Sequence, residues 1–122
     1  MECVIVDTSS ILFALHNRKD VFSAIRYEMP RASLLVSMGV FGELMHLKKG
    51  HGSTGRDARI ALSLLKSASV KIILDSSDVD SWIFGEAVRR RCMVCTNDTA
   101  LKARLRRRGI KTFRITREGR LR

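Results

Sequence analysis

Short apolar runs alternate with stretches of helical character along this 122-residue chain, and no other feature constrains its fold as strongly. The runs are rich in Val, Ile and Leu and have the length of buried strands. They lie at residues 3–6, 33–36, 70–74, 93–95 and 112–115. Because strands separated by helices form parallel sheets covered on both faces, we predict a single α/β domain over residues 1–122.

The segments between these runs carry start and stop signals of helices. Asp20 is placed to cap a helix that Pro30 stops, and Ser77 and Asp80 have the spacing of a capping box. We predict helices at residues 9–16, 21–28, 40–47, 57–67, 77–91 and 98–108, a loop at 50–55, and a loose basic tail at 117–122. The loop has the glycine spacing of a dinucleotide-binding motif, but a helix rather than a strand precedes it.

The positive charge is concentrated at one end of the sequence. Residues 1–88 contain 10 basic and 10 acidic side chains, whereas residues 89–122 contain 13 basic and 2 acidic ones. The whole net charge of +11 therefore falls in the second segment. A one-sided excess of arginine is typical of a surface that binds a polyanion, and we favour nucleic acid over an acidic protein partner or a solvated basic face.

The cysteines and the hydropathy pattern exclude several classes of protein. No apolar run approaches the roughly 18 residues of a membrane span, so we expect no membrane partner. Three cysteines do not make a disulfide framework, and we expect a reducing cytoplasm. Cys92 and Cys95 bracket a predicted strand and should face opposite sides of it, so we interpret them as core thiols rather than zinc ligands.

Four carboxylates follow or flank the predicted strands. Asp7 and Asp98 directly follow the first and fourth strands, Asp80 opens the helix before the fourth, and Glu43 lies in the helix after the second. If the strand order is 3-2-1-4-5, Asp7 and Asp98 meet at the reversal of strand order, where ligands of such sheets bind. The structural alternatives are helix caps for Asp80 and Asp98 and a surface residue for Glu43.

Carboxylates gathered in one crevice repel each other unless a cation compensates their charge. Mg²⁺ or Mn²⁺ prefers oxygen ligands, lowers the pKa of a bound water and holds a phosphate oxygen. An acidic metal pocket beside a basic segment therefore predicts a nuclease, in which the basic side chains hold phosphates and the pocket cuts one of them.

The ordered motifs resemble those of PIN-domain ribonucleases over nearly the whole chain. They are Val-Ile-Val-Asp7-Thr8-Ser9, Val40-x-x-Glu43-Leu44, Asp80-x-x-Ile83 and Thr96-Asn97-Asp98-x-x-Leu101. The resemblance implies a three-layer α/β/α fold with a five-stranded parallel sheet in the order 3-2-1-4-5. It also implies an endoribonuclease dependent on Mg²⁺ or Mn²⁺ that leaves 5′-phosphate and 3′-hydroxyl ends.

The resemblance assigns roles to individual residues. The catalytic and metal-holding acids are Asp7, Glu43, Asp80 and Asp98. The supporting polar residues are Thr96, Asn97 and a small hydroxyl near the first acid, which is Thr8 or Ser9. Independently of the resemblance, the concentration of charge and the loop at 50–55 indicate the basic residues expected to contact RNA, which are Lys48, Lys49, Arg89, Arg90, Lys102, Arg104, Arg106, Arg107 and Arg108.

Two subgroups of the family fit these motifs. Residues 96–110 look like those of PIN nucleases of small-subunit ribosomal RNA processing and their archaeal relatives, whereas VapC-type toxins share the same acids and a similar size. Ser81 stands where many ribosomal-type proteins carry a second acid, which leaves the subgroup open. The expected partners are structured RNA, together with a ribosome-assembly partner or an antitoxin, and a homodimer is a further hypothesis.

Two functions from other classes compete with the nuclease. A non-catalytic RNA-binding assembly subunit would carry a degenerate pocket, against which the four intact acids argue. A phosphoacceptor signalling domain would use Asp75 after the third strand and Thr96 after the fourth. Such a domain also needs an acidic pair after the first strand and a lysine after the fifth, where this chain has Thr8 and Thr116.

Overall fold

A computed structural model describes residues 2–73 and 79–122, apart from the side chains of Val79 and Asp80. Within these residues five strands form one sheet in the order β3-β2-β1-β4-β5, and all four pairings are parallel. The strands are β1 (Cys3–Val6), β2 (Ser33–Ser37), β3 (Lys71–Ile73), β4 (Met93–Cys95) and β5 (Thr112–Phe113). The predicted sheet and its strand order are confirmed.

The described helices follow the predicted segments closely. They are α1 (Thr8–His16), α2 (Val21–Glu28), α3 (Met38–Leu47), α4 (Gly52–Ser67), α5 (Val79–Arg90) and α6 (Thr99–Arg107). Asp20 caps α2 as predicted, since its carboxylate accepts a hydrogen bond from the Phe22 amide at 2.9 Å. The predicted capping box at Ser77 and the predicted end of the third strand at Leu74 lie outside the described residues. None of the described helices has the length and apolarity to cross a bilayer.

Alternating strand residues divide the core into two layers of packing. Val4 and Val6 of β1 face α1, α2, α3 and α4, whereas Ile5 faces α5 and α6. Each face of the sheet is therefore closed by helices, which gives the three-layer arrangement. The carboxyl ends of the strands all lie along one edge because every pairing is parallel.

The segment predicted to be a loop at residues 50–55 is shorter than expected. Helix α4 already begins at Gly52, which has a φ of +85°. Gly55 packs against the backbone of Gly50, where any larger side chain would overlap the Gly50 carbonyl oxygen. The glycines thus allow a tight entry into α4, and the sequence prediction of an open loop there is wrong.

The basic segment at residues 117–122, expected to be a loose tail, folds back onto β5. Ile115 and Leu121 form an antiparallel bridge, and the Arg122 amide donates to the Arg114 carbonyl at 2.8 Å. The Thr116 amide donates to the Arg120 carbonyl, also at 2.8 Å. The tail prediction is therefore wrong, because these backbone hydrogen bonds close a turn over the fully buried Ile115.

Two of the three cysteines are joined at the amino ends of neighbouring strands. Cys3 of β1 and Cys92, just before β4, form a disulfide with 4.9 Å between their Cα atoms. Cys92 and Cys95 lie in different core layers, as predicted, but the prediction that Cys92 is a free thiol is wrong. The reason is the register: Val4 pairs with Met93, which brings the preceding residues Cys3 and Cys92 side by side.

Candidate active site

Asp7 lies at the carboxyl edge of the sheet, between β1 and α1. Its backbone amide donates a hydrogen bond to the Cys95 carbonyl at 3.0 Å, which ties the end of β1 to the end of β4. The residue is the N-cap of α1, but its side chain makes no capping hydrogen bond. The residue is only 5% exposed, so the orientation of its carboxylate depends on the side chains around it.

Two hydroxyl groups hold one oxygen of the Asp7 carboxylate. Asp7 Oδ2 accepts a hydrogen bond from Ser9 Oγ at 2.7 Å and another from Thr96 Oγ1 at 2.8 Å. Each hydroxyl has a single proton, so both protons are directed at this oxygen. None of the described residues donates a hydrogen bond to Asp7 Oδ1. The protein therefore fixes one oxygen of Asp7 and leaves the other available.

Asp98 repeats this arrangement at the start of α6. Its Oδ1 accepts hydrogen bonds from the Ala100 and Leu101 amides at 2.9 and 3.1 Å, so the predicted capping role is real. Its own amide donates to Thr96 Oγ1 at 3.1 Å, which links Asp98 to the hydroxyl that holds Asp7. Within the described part of the chain, Asp98 Oδ2 receives no hydrogen bond. Capping thus uses only one of the two oxygens.

Asn97 connects the loop after β4 to α1 and to the segment after β5. Its backbone amide donates to Ser9 Oγ at 3.0 Å, and its side-chain Oδ1 accepts from Ser10 Oγ at 2.8 Å. Its side chain also exchanges two hydrogen bonds with the backbone of Ile115, at 3.0 and 3.1 Å. The supporting roles predicted for Ser9, Thr96 and Asn97 thus correspond to one hydrogen-bonded network.

Ser10 is a member of this network that sequence reasoning missed. It is fully buried, and the available signal was a serine in the first turn of a helix, where a buried hydroxyl needs a partner. Thr8, predicted as an alternative to Ser9, is not joined to the network by any described hydrogen bond. Its Oγ1 is buried and has no hydrogen-bond partner among the described residues.

The other two predicted acids are not joined to this network by any described contact. Glu43 is exposed on α3, and the side chain of Asp80 lies outside the described residues. Among the side chains that are described, no group of three His, Cys, Asp or Glu residues is placed to share a metal ion. The four-acid cluster therefore stays a prediction.

The donor chemistry fits a hard divalent cation. Asp7 Oδ1 and Asp98 Oδ2 are carboxylate oxygens on residues that the fold holds in place through their second oxygen. Oxygen ligands of this kind are those that Mg²⁺ and Mn²⁺ prefer.

Comparison with known proteins identifies the family. A family model described as PIN like domain matches residues 4–118. The chain belongs to this family. Ribonuclease VapC9 from Archaeoglobus fulgidus is 30% identical over 111 residues, which cover 90% of this chain and 80% of the relative.

Solved structures share the fold of this PIN-like domain. The PIN domain endonuclease Utp24 is 27% identical, with a TM-score of 0.79, and the match covers 98% of this chain and 90% of that one. VapBC2 from Rickettsia felis, solved with a DNA fragment from its promoter, is 12% identical, with a TM-score of 0.65 and coverage of 92% and 98%. The second likeness shows the fold alone.

Cys95 is a free cysteine beside the candidate site of this PIN-like domain, at the end of β4. Burial, opposed by a hydrogen bond with Ser10 and assisted by the charge of Asp7, raises the pKa of the Cys95 thiol to about 12. A thiol with this pKa is protonated at neutral pH and is a poor nucleophile. Cys95 is therefore part of the core and takes no part in the chemistry.

The basic residues predicted to contact RNA occupy two different settings. On α5, Arg89 and Arg90 both bind Glu86, at nitrogen–oxygen distances of 2.6 Å. The hydrogen bond from Arg89, opposed by burial, lowers the pKa of Glu86. On α6, the guanidinium groups of Arg104 and Arg108 lie 4.8 and 5.6 Å from the ring centre of Phe84. Glu86 offsets the charge of only one of the two arginines on α5, while Arg104 and Arg108 keep their charges at the surface.

The remaining predicted RNA contacts surround these two groups. Lys102 and Arg106 lie on the same helix as Arg104, and Arg106 donates a hydrogen bond to Thr112 at 3.0 Å. Burial lowers the pKa of Lys102, and the charges of Arg106 and Arg114 lower it further. Arg107 is exposed on α6, while Lys48 and Lys49 follow the end of α3. No contact of these residues with a nucleic acid has been observed, so their role stays a prediction.

Proposed function

We propose that this PIN-like domain is a metal-dependent endoribonuclease that hydrolyses phosphodiester bonds of RNA. The observation that carries the proposal is the pair Asp7 and Asp98, each with one oxygen fixed by the fold and one left available. The ribonuclease VapC9, at 30% identity over most of the chain, supports RNA as the substrate. The basic surface at the carboxyl end of the sequence is consistent with a polyanion.

The proposed roles divide between ligands and positioning residues. Asp7 and Asp98 would hold Mg²⁺ or Mn²⁺, with Asp80 and Glu43 as the remaining members of the acidic set. A bound divalent ion would lower the pKa of a water molecule and neutralise phosphate charge. Ser9 and Thr96 orient Asp7 through its Oδ2, which leaves Oδ1 directed away from the core network.

Cleavage of an end-labelled structured RNA tests this function. The wild type should cut in Mg²⁺ or Mn²⁺ and should not cut in EDTA. Asp7→Asn should lower the cleavage rate by about 10³-fold or more, because the amide cannot supply an anionic ligand. Far-UV circular dichroism and RNA binding should be retained in the variant.

A matched variant controls for the loss of a carboxylate as such. Asp20→Asn removes the charge of the N-cap of α2 but keeps an oxygen that can accept from the Phe22 amide, and no described contact joins Asp20 to the network around Asp7. It should cut at the wild-type rate. Cleavage by Asp7→Asn that equals the wild-type rate would exclude Asp7 as a metal-holding residue and indicate another nuclease in the preparation.

Two biological roles are each favoured by one observation. The identity to ribonuclease VapC9 favours the VapC-type subgroup, in which an antitoxin neutralises the enzyme. The likeness of residues 96–110 to PIN nucleases of small-subunit ribosomal RNA processing favours that role instead. Co-purification of an acidic antitoxin encoded by a neighbouring gene would support the first role. Co-sedimentation with pre-ribosomal RNA and no such gene would support the second.

A non-catalytic RNA-binding subunit remains the alternative from another class. RNA binding without cleavage in any divalent metal would favour it. A homodimer, which light scattering would detect, and a cytoplasmic location stay proposals as well. The Cys3–Cys92 disulfide is compatible with that location only where the cytoplasm is not strongly reducing, because such bonds rarely persist in a reducing compartment.

A further inference from the structure

The turn at the carboxyl end of the chain encloses a pocket that the predicted site does not include. Its volume is about 470 Å³, and four arginines line it. These arginines are Arg114, Arg117, Arg120 and Arg122. Phe13 of α1 forms one wall, and Glu118 is the acidic residue of the lining. The pocket thus combines an excess of guanidinium groups with one aromatic surface.

Among the described residues, no carboxylate neutralises the arginines of this C-terminal pocket. In the described part of the chain, no carboxylate oxygen lies within 4.0 Å of any of the four guanidinium groups. Arg89 and Arg90 differ in this respect, because both bind Glu86. The lowered pKa of Lys102, to which the charge of Arg114 contributes after burial and Arg106, is a second sign of uncompensated positive charge.

The backbone of the pocket is held in place before any ligand arrives. Thr116 and Arg120 are joined by a backbone hydrogen bond of 2.8 Å, and the Arg120 amide also donates to Thr116 Oγ1 at 3.1 Å. Gly119, with a φ of +83°, permits the reversal of the chain between them. A fixed scaffold lowers the entropic cost of binding, because the arginines already emanate from one ordered turn.

The pocket is also connected to the proposed catalytic network. Arg114 and Thr116 flank Ile115, whose backbone exchanges two hydrogen bonds with the side chain of Asn97. Asn97 immediately precedes Asp98, and both β4 and β5 end at the same edge of the sheet. An RNA strand that extends from Asp7 and Asp98 toward β5 would therefore reach the four arginines.

We infer that the C-terminal pocket is a phosphate-binding subsite that holds the RNA backbone beside the cleavage site, with Phe13 as the surface for one base. This inference rests on the proposed ribonuclease function and extends it to a second set of residues. Guanidinium groups bind phosphate oxygens in pairs of hydrogen bonds, and an aromatic ring accepts any base by stacking. An acidic peptide would offer carboxylates to the arginines but no base to Phe13.

Binding of a short fluorescein-labelled RNA hairpin with a single-stranded tail tests the subsite. All proteins carry Asp7→Asn, so that the RNA stays intact, and fluorescence anisotropy is measured at several salt concentrations. Adding Arg117→Gln and Arg120→Gln should raise the Kd about tenfold or more at low salt and reduce the slope of log K against log salt by roughly 1 to 2. Phe13→Leu should raise the Kd by a smaller factor without changing that slope.

A matched double variant controls for the loss of two charges. Arg31→Gln with Lys71→Gln removes the same charge at exposed positions away from the pocket, before β2 and at the start of β3. Its Kd should stay within about twofold of the Asp7→Asn protein. Equal Kd values and salt slopes for the pocket variant and this control would overturn the subsite. The subsite would also be overturned if substitution of the arginines weakened binding of a poly-glutamate peptide but left RNA binding unchanged.

A measurement on the unsubstituted pocket covers the case in which the variant fails to fold. The arginine Nε–Hε resonances of the Asp7→Asn protein should shift on addition of the RNA hairpin, and unchanged resonances would overturn the subsite. The proposed function is tested separately, by cleavage with the wild type. If RNA binds through the pocket but the wild type never cuts it, the ribonuclease is contradicted and the subsite stands. If the wild type cuts RNA and the pocket variant binds RNA normally, the subsite is overturned and the ribonuclease stands.

Discussion

The two ends of the parallel sheet join the same pair of strands by different chemistry. At the amino ends of β1 and β4, the Cys3–Cys92 disulfide makes the connection covalent. At the carboxyl ends, the connection consists of hydrogen bonds around Asp7 and Thr96. The polar end carries carboxylate oxygens that receive no hydrogen bond from the described residues, whereas the disulfide end carries neither Asp7 nor Asp98 and has the exposed Arg90 and Arg91 directly before Cys92. The comparison indicates that stability and chemistry are supplied at opposite ends of the strands.

The largest expected effect follows from opening the disulfide end. Cys3→Ser with Cys92→Ser should lower the free energy of unfolding by about 2–4 kcal/mol, because the bond spans a sequence separation of 89 residues and restricts the unfolded chain. RNA cleavage at a temperature where both proteins are folded should be unchanged. Urea denaturation with and without dithiothreitol measures the effect.

The double variant serves as its own control for the reducing agent. Dithiothreitol should lower the stability of the wild type and leave the variant unaffected. If the variant instead loses cleavage activity while still folded, the disulfide end and the polar end of the sheet are coupled, and stability and chemistry are not separated between them.

A smaller effect is expected at the polar end, where activity should change more than stability. Thr96→Val keeps the side-chain volume but removes a donor to Asp7 and the acceptor of the Asp98 amide. Activity should fall about 10- to 100-fold, as is usual when a partner of a metal-holding residue is lost. The measurement is the cleavage rate as a function of Mg²⁺ concentration.

The conservative variant separates positioning from packing. Thr96→Ser retains the hydroxyl and should recover most of the activity and of the apparent Mg²⁺ affinity. Equal losses in Thr96→Ser and Thr96→Val would show that the methyl group, and not the hydroxyl, is what the site requires.

The strands could be predicted from the sequence because their signal is local. Each strand is a short apolar run, and Asp7 and Asp98 follow two of these runs directly. Their shared edge also required the strand order, which the resemblance to the family supplied. The hydroxyls of Ser9 and Thr96 were placed by resemblance to the family. Their convergence on a single oxygen of Asp7 depends on side-chain geometry, which no spacing in the sequence encodes.

The features that were missed depend on contacts that the spacing of residue types does not encode. The pairing of Cys3 with Cys92 follows from strand register, and the odd cysteine count pointed away from it. The fold of residues 117–122 rests on backbone hydrogen bonds to residues 114–116, which composition cannot reveal. A run of arginines looks the same in a solvated tail and in a closed turn, so the C-terminal pocket could be recognised only in the structure.

The smallest expected effect concerns Cys95, the free cysteine at the polar end of β4. Burial raises its pKa from 9.0 to about 12 in the folded state, so the thiol stabilises the fold below pH 9 and this contribution is lost as the pH rises toward 12. At about pH 10, one pH unit above the ordinary pKa of the thiol, the free energy of unfolding should have fallen by about 1 kcal/mol. Urea denaturation of the wild type and of Cys95→Ala between pH 8 and about pH 10 isolates this contribution, since the other titrating groups are common to both. A difference in stability between the two proteins that does not change with pH would mean that the Cys95 thiol ionises as readily in the folded chain as in the unfolded one. The polar end of the sheet would then be open to solvent at β4, contrary to the buried network that holds Asp7.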